Sequence, residues 1–340
     1  MSLCTCIIMM DSEFPIYALV LAGLVIVIVM FSAILGNAFV ILAFIRDEKL
    51  HTVYNIYLVN LALTDLLLGC ISMPLFAVYT LNSYRWIMHQ YVCTLFMTIN
   101  EILCCEVVIM MVILSWDRLK LLTQKLEYMQ QQTIRRATIK VIVSWIIAFL
   151  VHGPVHFVFH SPKHEHNNLK CSAVYHEHKM YSSILTVLQF TIPFICLCVI
   201  NYLIFKKVRT RIKRREAARN RMNGYHGVAS TNNLNALTAV VDELTNTRSL
   251  TKASGVKRAL RTAKNLALLV FIFFITWAPY SITYFVDTVC TTCVNEHVTT
   301  VMLWVLWSKS AMNPFLYNYM SPGFKENFKA MIKCQCKRQQ

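Results

Sequence analysis

Seven apolar segments constrain the fold of this chain more than any other feature. Each segment exceeds the roughly 20 residues that an α-helix needs to cross a bilayer. Of the 340 residues, 56% are hydrophobic and only 15% are charged, which is too little charge for the surface of one soluble domain of this length. The pattern predicts an all-α membrane protein, a seven-transmembrane helix bundle. The predicted spans are 17–45, 53–79, 91–116, 137–159, 181–205, 265–288 and 298–320.

The positive charges predict how this bundle is oriented. Of 33 Lys and Arg residues, 28 fall in the connections 46–52, 118–140 and 206–264 or in the tail 325–338. Because basic connections are retained in the cytoplasm, we expect a multi-pass protein of the cell membrane with its N-terminus outside. The formal net charge of +16 is explained by contacts with anionic lipid and an acidic inner partner, so it requires no nucleic acid.

This orientation divides the chain into three parts. Residues 1–16 form an extracellular N-terminus, 17–320 form the transmembrane domain and 321–340 form a cytoplasmic tail. The third inner loop, 206–257, opens with a basic run that is predicted to extend span five as a helix. The loop then passes into a polar centre that is expected to be disordered.

The tail is predicted to hold an amphipathic eighth helix on the inner leaflet. Apolar residues recur there at helical spacing with lysines between them, a pattern typical of helices that lie in a membrane interface. Cys334 and Cys336 follow this helix and are candidate palmitoylation sites. The apolar residues are Phe324, Phe328, Met331 and Ile332.

Polar and proline motifs inside the spans resemble those of rhodopsin-like, or class A, G-protein-coupled receptors. In chain order they are Gly36–Asn37, LALTDLL with Asp65, Cys93, WDR at 116–118, Trp145, Pro193, WAPY at 277–280 and NPFLY at 313–317. The finer resemblance is to aminergic receptors, and among them to the third and fourth types of histamine receptor, in stretches such as WIIAFLVHGP and WVLWSKSAMNPFLY.

This resemblance implies a receptor and not an enzyme. It would couple a small extracellular ligand to a heterotrimeric G protein, of the inhibitory class if coupling follows the histamine-receptor likeness. Arrestin, receptor kinases and membrane lipids are the further implied partners, and no cofactor is implied. The resemblance also implies a disulfide between Cys93 and Cys171, and the outer pair Cys290 and Cys293 is a second candidate in the same oxidising compartment.

The cytoplasmic switch is assigned by the same resemblance. An arginine held by an adjacent carboxylate, here Asp117–Arg118, can be released to meet the G protein, which makes it a two-state element. Pro279 should kink span six beside Trp277 and act as a hinge. In span seven the switch residues are Asn313, Pro314 and Tyr317.

The expected ligand site departs from the aminergic pattern. Asn100 stands where aminergic receptors carry the Asp that binds an ammonium, and Gln189 stands where related histamine receptors carry a Glu. Because an amide cannot neutralise a desolvated ammonium, we do not expect histamine or another classical monoamine in the usual pose. Glu101, about 100° further around the helix, is a candidate replacement that could instead face span two or four. The other expected lining residues are Cys104, Trp277, Tyr280, Trp304 and Trp307.

Lys309 is an unexpected charge inside span seven. Related receptors carry a small polar residue there, next to a sodium ion held by the span-two Asp, here Asp65. A buried lysine needs a partner, so we expect its ammonium to reach Asp65 or Glu106 and to occupy the place of the ion.

Three alternatives to a ligand-activated receptor stay open. His164, His166, His176 and His178 flank Cys171 symmetrically, so a hairpin there could bind zinc or copper or sense protons, and a constitutively active receptor is a related possibility. An opsin-like photoreceptor is disfavoured because Trp307 occupies the retinal-lysine position. A transporter is disfavoured because no internal repeat is visible.

Overall fold

Eight helices follow one another along the chain in a computed structural model, which describes residues 16–124, 128, 130–155, 171, 179–226, 264–290 and 293–333. The described helices confirm the predicted all-α, seven-helix bundle. They are α1 (Ile16–Arg46), α2 (Val53–Leu81), α3 (Gln90–Thr123), α4 (Ile134–His152), α5 (179–226), α6 (Lys264–Val289), α7 (Glu296–Met320) and α8 (Pro322–Ile332).

Side-chain caps start several of these helices. Thr52 accepts a hydrogen bond from the backbone N–H of Asn55 at the start of α2, and Thr133 accepts one from Arg136 at the start of α4. Asn295 does the same for His297 at the start of α7. A cap satisfies one of the four N–H groups that a helix start leaves without partners, so these positions fix where the spans begin.

Two helices contain a π-helical turn. The turn Leu68–Ser72 in α2 precedes Pro74, and the turn Val187–Thr191 in α5 precedes Pro193. Proline has no N–H and its ring clashes with the carbonyl four residues earlier, so the helix relaxes locally to a wider turn. In α5 this wider turn contains Gln189, which lines the cavity described below.

Length and composition identify five helices, α1, α2, α3, α5 and α6, as long and apolar enough to cross a membrane. The first turns of α4 carry Arg135, Arg136 and Lys140, and α7 carries Glu296 and Lys309 among many polar residues. These residues make α4 and α7 less apolar than the other spans. Both helices nevertheless pack within the bundle, α4 against α2 and α3, and α7 against α1 and α2, as transmembrane helices of one bundle would.

Helices α1 and α7 approach each other closely. A Cβ on Gly36 would lie 2.7 Å from Cγ of Pro314, so only glycine fits there. The neighbouring Asn37 donates hydrogen bonds to the carbonyls of Ala33 (2.8 Å) and Ser310 (3.0 Å). The apolar exterior is also extensive, with Phe31 in α1 and Phe149 in α4 more than half exposed, as expected of a surface that faces lipid.

The amphipathic helix α8 docks against the inner end of the bundle. Phe324 is fully buried, and the ring of Phe328 lies 5.9 Å from that of Phe39. Asn327 donates a 2.7 Å hydrogen bond to Asp47 in the first inner loop. The basic run after span five is helical in α5 as far as His226.

Candidate functional site

A cavity of about 470 Å³ lies between the outer halves of α2, α3, α5, α6 and α7. Lining residues of α6 are Trp277, Tyr280, Tyr284 and Asp287, which share one helix face because they recur at intervals of three and four. The disulfide between Cys93 and Cys171, predicted above, is formed and joins Cys171 to α3, and Cys171 itself lines the cavity. The second predicted disulfide, between Cys290 and Cys293, is also formed.

The charged side chains that the structure describes in this cavity are all acidic. Glu101 of α3, Asp287 of α6 and Glu296 of α7 line it, and no Lys, Arg or His is found among the lining residues in the described part of the chain. Aromatic rings supply much of the remaining wall. An acidic, aromatic cavity attracts cations through both Coulomb forces and cation–π contacts.

Glu101 is fixed by a residue that sequence reasoning did not single out. Its Oε2 lies 3.2 Å from Nδ1 of His152, the last residue of α4, whose side chain is fully buried. The other ring nitrogen of His152 lies within hydrogen-bonding distance of the Gln189 amide. Glu101 therefore contacts α4 and also lines the cavity. His152 connects Glu101 to Gln189, the position for which the sequence predicted a ligand contact.

Asn100 also lines the cavity, one residue before Glu101. Its Oδ1 atom is buried and has no hydrogen-bond partner among the described residues. Cys104 lines the inner end of the α3 wall, and Trp277 lines the inner end of the α6 wall. The cavity thus brings together six of the residues selected from the sequence: Asn100, Glu101, Cys104, Gln189, Trp277 and Tyr280.

Trp304 and Trp307 differ from the expectation, because neither lines the cavity. Both rings turn toward α2 and pack around Phe76, with centroid distances of 6.2 Å and 5.4 Å. Trp307 is fully buried. The side chain of Phe76 comes between these tryptophans and the cavity, so they support its wall from behind.

The environment of Lys309 also departs from the expectation. Asp65 accepts hydrogen bonds from Ser310 (2.6 Å) and Asn313 (2.5 Å) instead of pairing with the lysine. Lys309 is only 4% exposed and makes no salt bridge within the described ranges; its Nζ atom lies 5.8 Å from the ring centroid of Phe273 in α6.

Glu106, the second expected partner of Lys309, faces the other side of the bundle. It accepts hydrogen bonds from Asn60 of α2 (2.7 Å) and Ser144 of α4 (2.8 Å). Trp145 completes this cluster by donating to the Asn60 side-chain oxygen at 2.9 Å. A single helical turn of α3 cannot direct a carboxylate toward both α4 and α7, so Glu106 ties α2, α3 and α4 together instead.

At the cytoplasmic end, Arg118 is held mainly by an aromatic ring. Its guanidinium lies 3.5 Å from the ring centroid of Tyr54, whereas its Nε is 4.0 Å from Asp117. Asp117 instead accepts a 2.6 Å hydrogen bond from Tyr128 in the second inner loop. Burial and this hydrogen bond raise the pKa of the Tyr128 phenol, so it stays a donor at physiological pH. No motif in the sequence marks Tyr54 or Tyr128 as a partner of Arg118 or Asp117.

The span-seven motif lies in the core of the bundle. Asn313 donates to Asp65, Pro314 contacts Gly36 of α1, and Tyr317 is fully buried with its hydroxyl unpaired among the described residues. A buried unpaired hydroxyl carries a desolvation cost that a change of conformation could relieve. The lipidation candidates Cys334 and Cys336 and the histidines at 164, 166, 176 and 178 lie outside the described residues.

Comparison with known proteins agrees with this geometry. The family model of the seven-transmembrane receptors (rhodopsin family) matches residues 36–317. The 5-hydroxytryptamine receptor 1F of Homo sapiens is 27% identical, over 88% of this chain and 89% of its own length. The 5-hydroxytryptamine receptor 1B of Oryctolagus cuniculus is 26% identical, over 89% of this chain and 83% of its own length.

These relatives are serotonin receptors, so the finer likeness to histamine receptors stays a prediction. The aminergic likeness and the assignment as a receptor, and not an enzyme, are confirmed. The family match over 36–317 agrees with the helix bundle, the cavity, and the Asp117–Arg118 and NPFLY elements. The chain therefore belongs to the rhodopsin family of seven-transmembrane, G-protein-coupled receptors.

Proposed function

We propose that this receptor binds a small organic cation on the outer side of the cell membrane and, in response, activates a heterotrimeric G protein of the inhibitory class. The observation that carries the proposal is the charge of the cavity. Three carboxylates and several aromatic rings line it, and the described lining contains no basic side chain. A positively charged ligand would be attracted to this cavity before contact and held in it afterwards.

The missing family aspartate does not remove the capacity to bind an ammonium. Glu101 is adjacent to Asn100 on α3 and lines the same cavity, so a ligand cation would be displaced around the helix toward α4. The serotonin receptors that resemble this chain are named for an aromatic amine, which supports an amine as ligand class. The exact amine would differ, because the ion site would be displaced.

The intracellular partners are proposed from the same likeness. The N-terminus would be outside, and the basic inner loops would contact the G protein and anionic lipid. Arrestin and receptor kinases would act on the third inner loop, which holds most of the serines and threonines on the cytoplasmic side. Cys334 and Cys336 would carry palmitate.

The proposal is tested by expressing the full chain in cells that report activation of each G-protein class. Serotonin, histamine, tryptamine and putrescine would be compared with neutral and acidic molecules of matched size. We expect responses to cations alone, and a loss of at least about tenfold in potency in Glu101→Gln, because an ion pair in a partly desolvated site is lost. Glu106→Gln, a carboxylate of the same span that does not line the cavity, is the matched control. Activation by neutral or acidic molecules alone would refute the proposal.

A further inference from the structure

The acidic residues of the cavity form two groups at different depths. Glu101 lies near the inner end, three residues from Cys104, the innermost lining residue of α3. Asp287 lies ten residues beyond Trp277, the innermost lining residue of α6, and Glu296 lies ten residues from Leu306, the innermost one of α7. At about 1.5 Å per residue along each helix, Glu101 is roughly 4–5 Å from the innermost lining residue of α3, and Asp287 and Glu296 are roughly 15 Å from those of α6 and α7.

Glu101 forms the inner group by itself, and its carboxylate is partly shielded from solvent. His152 is fully buried and lies 3.2 Å from the Glu101 carboxylate, so the orientation of Glu101 is fixed by α4 and not by solvent. Asn100, next to Glu101 on α3, and Gln189, which contacts His152, also line the cavity, and their amide oxygens can accept N–H groups of a ligand. A ligand ammonium placed at Glu101 would thus meet one carboxylate and neutral acceptors.

The outer group is held in place by a tyrosine. Glu296 accepts a 2.6 Å hydrogen bond from Tyr79 of α2, and the neighbouring His297 ring lies 2.7 Å from the Tyr84 hydroxyl. Tyr79 and Tyr84 contact each other edge to face, with centroids 5.8 Å apart. Ser83 and Tyr84 both have φ near +55°, a strained backbone that the packing of this rim must maintain. Glu296 is therefore held in position at this rim, and Asp287 lines the same cavity from α6.

We propose that the cavity takes a dication, with one ammonium at Glu101 and the second at the rim formed by Asp287 and Glu296. The depths differ by about 10 Å, which an extended chain of seven or eight methylene groups between two amines would span. Tyr280 and Tyr284 line the α6 wall between these levels and would cover the apolar middle of such a ligand. This inference rests on the proposed function, because it assumes that the cavity binds the activating cation.

The experiment uses the purified full-length receptor and two matched probe series. One series is the α,ω-diamines from 1,3-diaminopropane to 1,12-diaminododecane, and the other is the n-alkylamines of the same chain lengths. Binding is read as the ligand-dependent rise in melting temperature, and G-protein activation is read in parallel. We expect diamine affinity to peak near seven or eight carbons and to exceed that of the matched monoamine by about tenfold at the peak.

Variants separate the two ends of the ligand. Glu101→Gln should weaken monoamines and diamines alike. Asp287→Asn with Glu296→Gln should reduce diamines to the affinity of the matched monoamines, and should weaken monoamines far less, because they lose only the long-range attraction of these two charges. Glu48→Gln removes a carboxylate from the cytoplasmic side and controls for net charge. Equal affinity of matched monoamines and diamines, with both dependent on Glu101, would overturn the dication and leave the proposed function intact. Absence of binding by either series, or binding indifferent to Glu101→Gln, would overturn both.

Discussion

Replacing Lys309 with methionine should stabilise the receptor. The lysine is 4% exposed in the middle of α7, makes no salt bridge in the described part of the chain, and has the ring of Phe273 5.8 Å from its Nζ atom. A charged side chain at this depth costs about 2.5–3.5 kcal/mol on insertion scales. The cation–π contact and the attraction to the Asp65 carboxylate, which lies beyond contact distance, together recover about 1 kcal/mol of this. Methionine fills a similar volume without the charge, so we expect a gain of about 2 kcal/mol.

The assay is thermal unfolding of the purified receptor in detergent, followed through the exposure of buried cysteines. At about 2–4 °C per kcal/mol for a domain of this size, Lys309→Met should raise the melting temperature by about 4–8 °C. Lys325→Met on α8, where the side chain is exposed, is the matched control and should shift it by less than about 1 °C. A melting temperature in Lys309→Met that is unchanged or lower would show that interactions of the ammonium offset the cost of burying it.

Three further changes have outcomes that follow from contacts in the structure. Glu106→Ala should lower the melting temperature by several degrees, since the buried Asn60 amide loses an acceptor, which costs about 1–3 kcal/mol, while Ser144 can still donate to the Val141 carbonyl; Glu106→Gln keeps an acceptor oxygen and should stay close to the native value. Cys171→Ser should reduce surface expression, measured by flow cytometry. The disulfide joins residues 78 positions apart, and closing a loop of that length stabilises the fold by about 4 kcal/mol in the entropy model. Normal surface expression of the variant would contradict this role of the disulfide. Deleting 228–255 should abolish phosphorylation-dependent arrestin recruitment and preserve G-protein coupling, and recruitment that survives the deletion would contradict the assignment of phosphorylation to this loop.

The fold could be predicted because helix-length apolar runs and positive inner loops have few structural solutions in a membrane. The cavity was predicted less completely. Asn100, Glu101 and Gln189 were found because the family places ligand contacts at or next to those positions. Asp287, Glu296 and His152 were missed, although each is a polar residue at the outer end of a span. Their role depends on which face of each helix turns inward, and one sequence does not determine that.

Two expectations differ from the structure for one physical reason. Lys309 was expected to reach Asp65 or Glu106, and Trp304 and Trp307 were expected in the cavity, because each was assigned from its position in the family motifs. Each Asp65 oxygen already accepts a hydrogen bond, one from Ser310 and one from Asn313, and Lys309 lies beyond contact distance. Phe76 of α2 contacts both indole rings. Contacts supplied by a different helix decided both outcomes, and chain position alone does not report them.

The most direct test of the central claim is guanine-nucleotide exchange with purified components. Receptor in lipid nanodiscs would be mixed with an inhibitory-class heterotrimer, and the rate of GTPγS binding would be measured with and without cationic amines. We predict faster exchange than with the heterotrimer alone, a further rise with an amine that binds the cavity, and loss of both effects in Arg118→Ala. A folded receptor that leaves the exchange rate of every G-protein class unchanged under all these conditions would contradict the claim that this chain signals through G proteins.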